Sequence, residues 1–299
     1  MAEGTGLTVD RSFDVAVVGL GNMGLGIALN LRDSGYRVVG VDPRGADLPV
    51  EDLEVMDHVG AWLDAEVVVL SLHPDVTGEV VRAVTELDGR PSVVVDCGTG
   101  TAELSNSLAQ ACTGAGITYV EAPVSGGPAA ARNGTLAIFV GSEEALSEVS
   151  KGVVDAMGAA ERLGPVGAGQ EAKLINNLLV GAAFAAVAEA FALARATQID
   201  TNALLTTLTR GAADSWVLRD AWPRMLAGDI APRGTVELHR RDLGLVGDLA
   251  ANLGVELRLN PAVAEMFGSG LAAGLGPYAQ HALYLLWDEG AVPSPVVGK

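Results

Sequence analysis

Three short stretches of this 299-residue chain carry residue types that could do chemistry. Gly167-Ala-Gly169-Gln-Glu-Ala-Lys173-Leu-Ile-Asn-Asn177 presents a lysine and, four residues on, an amide that a helix would set on the same face. Lys173 stands directly before the uncharged, largely apolar run Leu174–Ala188. Burial there would depress the lysine's pKa and let it exchange a proton as a general acid or base. Glu121-Ala-Pro-Val-Ser125-Gly126-Gly127 offers a hydroxyl and two uncovered backbone amides, a set that suits a carboxylate. Near the start, Asp14-Val-Ala-Val-Val-Gly19-Leu20-Gly21-Asn22-Met23-Gly24 leads an apolar strand into Gly-x-Gly-x-x-Gly. Gly19 permits a tight turn, Gly21 lets a pyrophosphate approach the backbone, and Gly24 lets helix and strand pack closely. That is what a dinucleotide needs, with its pyrophosphate on the N–H groups of a helix N-terminus.

These residues need elements to position them. Phe13–Val18, Arg37–Val41, Val67–Leu72, Ser92–Asp96, Thr118–Val120 and Leu136–Val140 read as strands. Helical stretches such as Met23–Asp33, Asp75–Leu87 and Thr101–Thr113 lie between them. The alternation predicts a doubly wound, mainly parallel α/β sheet. The second strand ends in Asp42-Pro43-Arg44. A carboxylate there accepts hydrogen bonds from both ribose hydroxyls and repels a 2′-phosphate, so NAD is preferred over NADP, with Arg44 softening the repulsion. After Gly169 the β-branched runs disappear and alanine- and leucine-rich helical patterns take over, punctuated by Gly211, Pro223, Pro232, Pro261 and Gly274–Pro277. The expected organisation is a flexible N-terminus at 1–12, a Rossmann domain at 13–166, and an all-α domain at 167–299 that opens with a long helix over about 170–197.

Composition narrows the classes. A formal charge of −18 argues against nucleic acid as a partner, because no basic excess is available to neutralise its phosphates. Cys97 and Cys112 are too few for a disulfide framework, which points to a reducing cytoplasm. The polar N-terminus has no signal-peptide core. The run Leu174–Ala188 is too short to span a membrane and reads as a helix buried on nearly all sides. His58, His73, His239 and His281 lack metal-ligand spacing, and no metal is expected.

On these motifs the chain resembles the β-hydroxyacid dehydrogenase family, which includes 3-hydroxyisobutyrate dehydrogenase and tartronate semialdehyde reductase. The likeness covers about residues 13 to 290. It rests on GLGNMG at 19–24, EAPVSGG at 121–127 with Gly134-Thr-Leu136 and Val140-Gly141, GAGQEAKLINN at 167–177, and Arg241-Asp242-Leu243. The resemblance implies metal-free NAD(P) chemistry and a helical domain like that of 6-phosphogluconate dehydrogenase, through which dimers or tetramers form. It implies Lys173 as the catalytic acid/base, Ser125, Gly126 and Gly127 as the carboxylate site, and Asn177 as a substrate contact. It also implies Leu72, His73 and Pro74 as a cofactor loop, Thr99 beside the nicotinamide, and Arg241 as a cofactor contact. The chain departs from the family pattern at Gly98, where serine is usual, and at Arg241, where lysine is usual. After Gly274-Leu-Gly276 it reads Pro-Tyr-Ala-Gln instead of offering an aspartate.

The expected activity is hydride transfer between a nicotinamide cofactor and a short 3-hydroxy acid, of the 3-hydroxyisobutyrate or glycerate/tartronate semialdehyde kind. Two rivals stay open: a reductase of imines or larger carbonyl compounds on the same fold, and a non-catalytic dinucleotide-binding module. Trp216, Arg219, His239 and Arg240 are further residues of the helical part that could reach a substrate cleft.

Overall fold

The computed structural model describes residues 12–48, 50, 52–57, 65–86 and 90–288. Residues 1–11 of the expected flexible N-terminus, and His58, lie outside the described residues. The chain divides into two compact units with the boundary between Lys173 and Leu174.

In the first unit, valine-rich runs buried on both faces form the central strands of one sheet, as a helix-covered parallel sheet requires. Its strands are β1 (Phe13–Val18), β2 (Val38–Val41), β3 (Glu54–Met56), β4 (Ala65–Leu70), β5 (Val93–Asp96), β6 (Thr118–Glu121), β7 (Val124–Ser125), β8 (Leu136–Gly141) and β9 (Gly158–Gly164). The order is β3-β2-β1-β4-β5-β6-β8-β7, with β9 also paired to β8. All pairings from β3 to β6 are parallel, with Val15 opposite Val38 on one side and Val67 on the other. Helices α1 (Asn22–Asp33), α2 (Pro74–Glu86), α3 (Ala102–Gly114), α4 (Gly127–Asn133) and α5 (Glu148–Met157) connect the strands. Thr101 and Ser147 cap α3 and α5 by accepting from Leu104 N–H and Ser150 N–H. This is the expected Rossmann-like unit.

Its far edge differs from the sequence reading. β7 and β8 pair antiparallel, and β6 meets β8 antiparallel at Glu121 and Gly141. β9 is Gly-Ala-Ala-Glu-Arg-Leu-Gly, with no β-branched residue. Pairing with β8 imposes the strand, a case of tertiary context overriding propensity. A Cβ on Gly158 would lie 2.0 Å from the Leu136 carbonyl oxygen, so only glycine allows that approach.

The long helix α6 (Ala168–Ala196) crosses the boundary, and α7 (Thr201–Leu208), α8 (Trp216–Ala227), α9 (Val236–Asn252), α10 (Leu259–Ala272) and a 3₁₀ segment, Gln280–Trp287, complete the second unit. Phe191 is the pivot of its core, meeting Trp222 edge-on at 5.1 Å and Tyr284 at 5.3 Å. Pro223, expected to end a helix, lies inside α8. Burial of Trp222 and Met225 on either side holds the helix together where the proline removes a backbone donor.

The expectation that α6 is buried on nearly all sides is also corrected. Phe184, Ala188 and Phe191 are buried, yet Ile175, Leu179 and Leu193 are 58%, 67% and 69% exposed. With 29 residues, α6 is long and apolar enough to cross a membrane by length and composition alone, contrary to the shorter run read from sequence. Its buried aromatic face inside a helical core is that of a core helix.

Candidate active site

β1 lies between β2 and β4, so the sheet changes winding direction there and the crevice at the carboxyl ends of β1 and β4 is the expected ligand site. The glycine motif occupies that place. Gly19 has φ +87°, and a Cβ on it would stand 2.5 Å from the Ser71 carbonyl oxygen. A Cβ on Gly24 would stand 1.9 Å from Gly19 O, which makes this glycine the contact between α1 and the turn. Gly21 caps α1 with no side chain bonded to its end and has open space where a Cβ would be. A backbone concavity open to one side at a helix N-terminus fits a pyrophosphate.

Asp42 follows β2, nearly buried, with both oxygens occupied. Oδ2 accepts from Leu20 N–H at 2.8 Å and from Arg44 Nη2 at 2.9 Å. Oδ1 accepts from Arg44 Nε at 2.8 Å and Arg44 N–H at 3.1 Å. Arg44 Nη2 also donates to Leu20 O, tying the pair back to the glycine turn. The Arg44 guanidinium pulls the Asp42 carboxyl down to about 2, overcoming burial that pushes it up. Asp42 is therefore one half of a neutralised ion pair, where sequence suggested an available carboxylate. Leu72, His73 and Pro74 follow β4 at the same crevice, with His73 exposed and its Nδ1 3.2 Å from Asp75 Oδ2.

Gly126 (φ +132°) and Gly127 (φ +75°) form the turn between β7 and α4, both in a region that disfavours side chains. A Cβ on Gly126 would lie 2.7 Å from that of Ala130, whereas Gly127 faces open space. Ser125, Gly126 and Gly127 are half-buried, as is Thr99 in the loop after β5.

Lys173 is half-buried on α6, one turn before Asn177. The start of that helix is anchored by two residues that sequence reasoning passed over. Glu121, wholly buried at the end of β6, accepts from Gly167 N–H and Gly169 N–H through Oε2, at 2.9 Å each. Burial pushes its carboxyl up, and Ser105 with the amides of Gly167, Gly169 and Gln170 acts against that. Gln170, also buried, bonds the Gly98–Gly100 loop. The only signal was a lone carboxylate ending an apolar strand and a glutamine inside the lysine motif.

In the second unit the Asn177 amide is already engaged. Its Nδ2 donates to Asp242 Oδ2 at 2.8 Å and its Oδ1 accepts from Asn176 Nδ2 at 3.0 Å. Asn176 thus holds Asn177. Arg241 donates to Asp242 Oδ1 through Nε and Nη2. His239 is buried between the Asn177 carbonyl and Gln280, so it holds backbone and side chain in place. Arg219 pairs with Asp214, Arg240 lies alongside Gly244 and Gly268, and Trp216 is 59% exposed. Both cysteines are buried free thiols, Cys112 pushed up to about 12 by burial. Among the described residues no cluster of His, Cys, Asp and Glu could hold a metal.

A Rossmann-like unit with its glycine turn at the switch point, followed by a helical unit, defines a nicotinamide-dinucleotide oxidoreductase. The family model described as the NAD binding domain of 6-phosphogluconate dehydrogenase matches residues 14–169. The model described as NAD-binding of NADP-dependent 3-hydroxyisobutyrate dehydrogenase matches residues 167–287. L-threonate dehydrogenase from Cupriavidus necator is 31% identical over 89% of this chain and 93% of its own. The 3-hydroxyisobutyrate dehydrogenase of Pseudomonas aeruginosa is 33% identical over 78% of this chain and 83% of its own. The crystal structure of 3-hydroxyisobutyrate dehydrogenase from Salmonella typhimurium superposes with a TM-score of 0.81 at 27% identity, covering 92% of this chain and 99% of the other. The chain belongs to the β-hydroxyacid dehydrogenase family and is an NAD(P)-dependent hydroxyacid dehydrogenase.

The Asp42–Arg44 pair has a defined pH dependence. The Asp42 carboxyl is lower in the folded protein than its ordinary 3.8, so the stability it contributes is complete above about pH 4 and is lost as pH falls through about 2. Asp42→Asn should cost about 1–2 kcal/mol at neutral pH, less than the full shift would give because Arg44 is half in solvent. Denaturant titrations should show that gap closing below about pH 4. A gap independent of pH would show that the charge is not what the pair contributes.

Proposed function

We propose that the protein interconverts a short 3-hydroxy acid and its 3-oxo or semialdehyde form, with NAD preferred over NADP. The observation that carries this reading is the placement of Lys173. Its helix begins at the carboxyl edge of β6, where Glu121 holds the amides of Gly167 and Gly169, and ligands of such sheets bind at that edge. L-threonate and 3-hydroxyisobutyrate, named for the relatives, are both hydroxy acids, which supports a substrate carrying a carboxylate.

In this reading residues 13–166 bind the dinucleotide and residues 167–299 serve substrate and assembly. The segment Gly19–Gly24, with Leu20, Asn22 and Met23, takes the pyrophosphate, while Asp42 and Arg44 meet the adenosine ribose. Leu72, His73, Pro74, Thr99 and Arg241 are further cofactor contacts. The nicotinamide, when bound, supplies the hydride acceptor or donor. Ser125 Oγ and the amides of Gly126 and Gly127 hold the substrate carboxylate. As a neutral amine, Lys173 Nζ accepts the proton of the substrate hydroxyl; as an ammonium, it hydrogen-bonds the carbonyl oxygen and returns that proton. Asn177 keeps one amide hydrogen beyond its bond to Asp242 for orienting substrate. The setting is cytoplasmic. The exposed stripe Ile175, Leu179 and Leu193 on α6 supports a homodimer or homotetramer.

Lys173→Ala should lower turnover of 3-hydroxy acids by about a hundred- to ten-thousand-fold. Dinucleotide binding, followed by fluorescence, should stay near that of the parent; a folded variant that keeps most of its activity would place the proton on another group. Asp42→Ala should narrow the ratio of kcat/KM between NAD and NADP, and a parent enzyme that uses NADP better would remove Asp42 as the discriminating residue. Light scattering at micromolar concentration should give the mass of two or four chains. A monomer would overturn the assembly.

A further inference from the structure

Gln170 is 2% exposed, yet a buried amide must find partners for its donor and its acceptor. It finds them on one loop. Its Oε1 accepts from Gly100 N–H at 2.9 Å and its Nε2 donates to the Gly98 carbonyl at 3.0 Å. The two peptide groups flank Thr99, so a single side chain fixes the backbone on both sides of that residue.

The loop is confined from the other side as well. Gly98 N–H donates to Asp96 Oδ1 at 2.9 Å, and a Cβ on Gly98 would lie 3.0 Å from both Asp96 Oδ1 and the Leu72 carbonyl oxygen. Gln170 itself stands on a fixed base, because the turn before it is bonded to the buried Glu121 through Gly167 and Gly169. A Cβ on Gly169 would lie 2.5 Å from Phe139 O, so the helix start cannot shift outward without losing that packing. Lys173 is three residues beyond Gln170 and shares its side of α6.

We propose that Gln170 is a positioning residue, which sets the Thr99 loop at a fixed distance from Lys173 and so aligns the hydride-transfer side of the site with its acid/base. The proposal rests on the reading of Lys173 as the acid/base and Thr99 as the nicotinamide neighbour. Only a side chain with both a donor and an acceptor can bridge Gly98 O and Gly100 N–H, which is why an amide stands here where an apolar residue would fill the same volume. Loosening reacting groups by about 1 Å costs on the order of a hundredfold in rate.

The test uses the full chain and the variants Gln170→Met, of similar length without the two hydrogen bonds, and Gln170→Glu, which keeps only the acceptor toward Gly100 N–H. Each should lower kcat by about tenfold or more, with KM for hydroxy acid and dinucleotide within about threefold of the parent. The primary deuterium isotope effect on kcat, with deuterium on the carbinol carbon, should rise as hydride transfer becomes slower. A purely structural role would leave that isotope effect unchanged. In a Thr99→Ala background the loss from Gln170→Met should shrink, since both changes act on one loop. Parental kcat and isotope effect, a raised KM with unchanged kcat, or full additivity with Thr99→Ala would each overturn the proposal. Should Gln170→Met unfold, Gln170→Glu carries the same measurements. A Lys173→Ala enzyme that stays active removes the acid/base reading instead, whereas an inactive Lys173→Ala beside an unaffected Gln170→Met removes the positioning role alone.

Discussion

The buried carboxylate of Glu121 holds together the parts of the first unit that bear on chemistry. It ends β6, has no access to solvent, and directs Oε2 at two backbone amides at the start of α6. Backbone amides donating to a carboxyl oxygen favour its ionised form, as does the positive end of a helix dipole. These terms oppose the desolvation that pushes the carboxyl up. The arrangement dictates its neighbours. A Cβ on Gly141 would sit 1.9 Å from Glu121 Oε2, and one on Gly169 would sit 2.8 Å from it. Two glycines far apart in sequence thus leave room for this side chain, at the point where β6 and β8 pair antiparallel through Glu121 and Gly141. The helix that carries Lys173 starts where this carboxylate puts it.

The other end of the crevice is governed by a second carboxylate with the opposite balance. Asp42 lies under an arginine whose guanidinium is about half in solvent, and four donors fill its two oxygens. On the proposed reading, a ribose reaching Asp42 would displace part of that clasp. On the same reading, the charge that would repel a 2′-phosphate is already offset by Arg44, so discrimination between NAD and NADP would be a difference between two weakened terms. An unpaired aspartate would discriminate more sharply.

Much of this was legible in the sequence, for reasons that differ by element. The strand entering Gly19–Gly24 and the helix bearing Lys173 are local patterns, and local patterns survive without tertiary information. The parallel core was legible because strands buried on both faces write continuous apolar runs. β9 was not, since its exposed Gly-Ala-Ala-Glu-Arg-Leu-Gly carries no strand signal until β8 pairs with it. Pro223 misled because a proline normally ends a helix, and the burial of Trp222 against Phe191 overrides it. Glu121 and Gln170 stood inside the motifs but their partners are backbone amides and carbonyls, which one sequence does not reveal.

Asn177 illustrates the same limit and shows what the second unit adds. Its spacing from Lys173 marks it as a polar group on the lysine's side of α6, and sequence goes no further. The structure gives it restraints from both α6 and α9. Asn176 and Asp242 fix its amide, and Arg241 fixes Asp242. His239 bonds its carbonyl at 3.0 Å, with Gln280 Nε2 donating to His239 Nδ1, so the histidine proton sits on Nε2. That approach needs Gly181, because a Cβ there would lie 2.6 Å from His239 Nε2. His239 thus has both ring nitrogens committed to holding its neighbours. The histidine serves to keep the neighbouring asparagine in register.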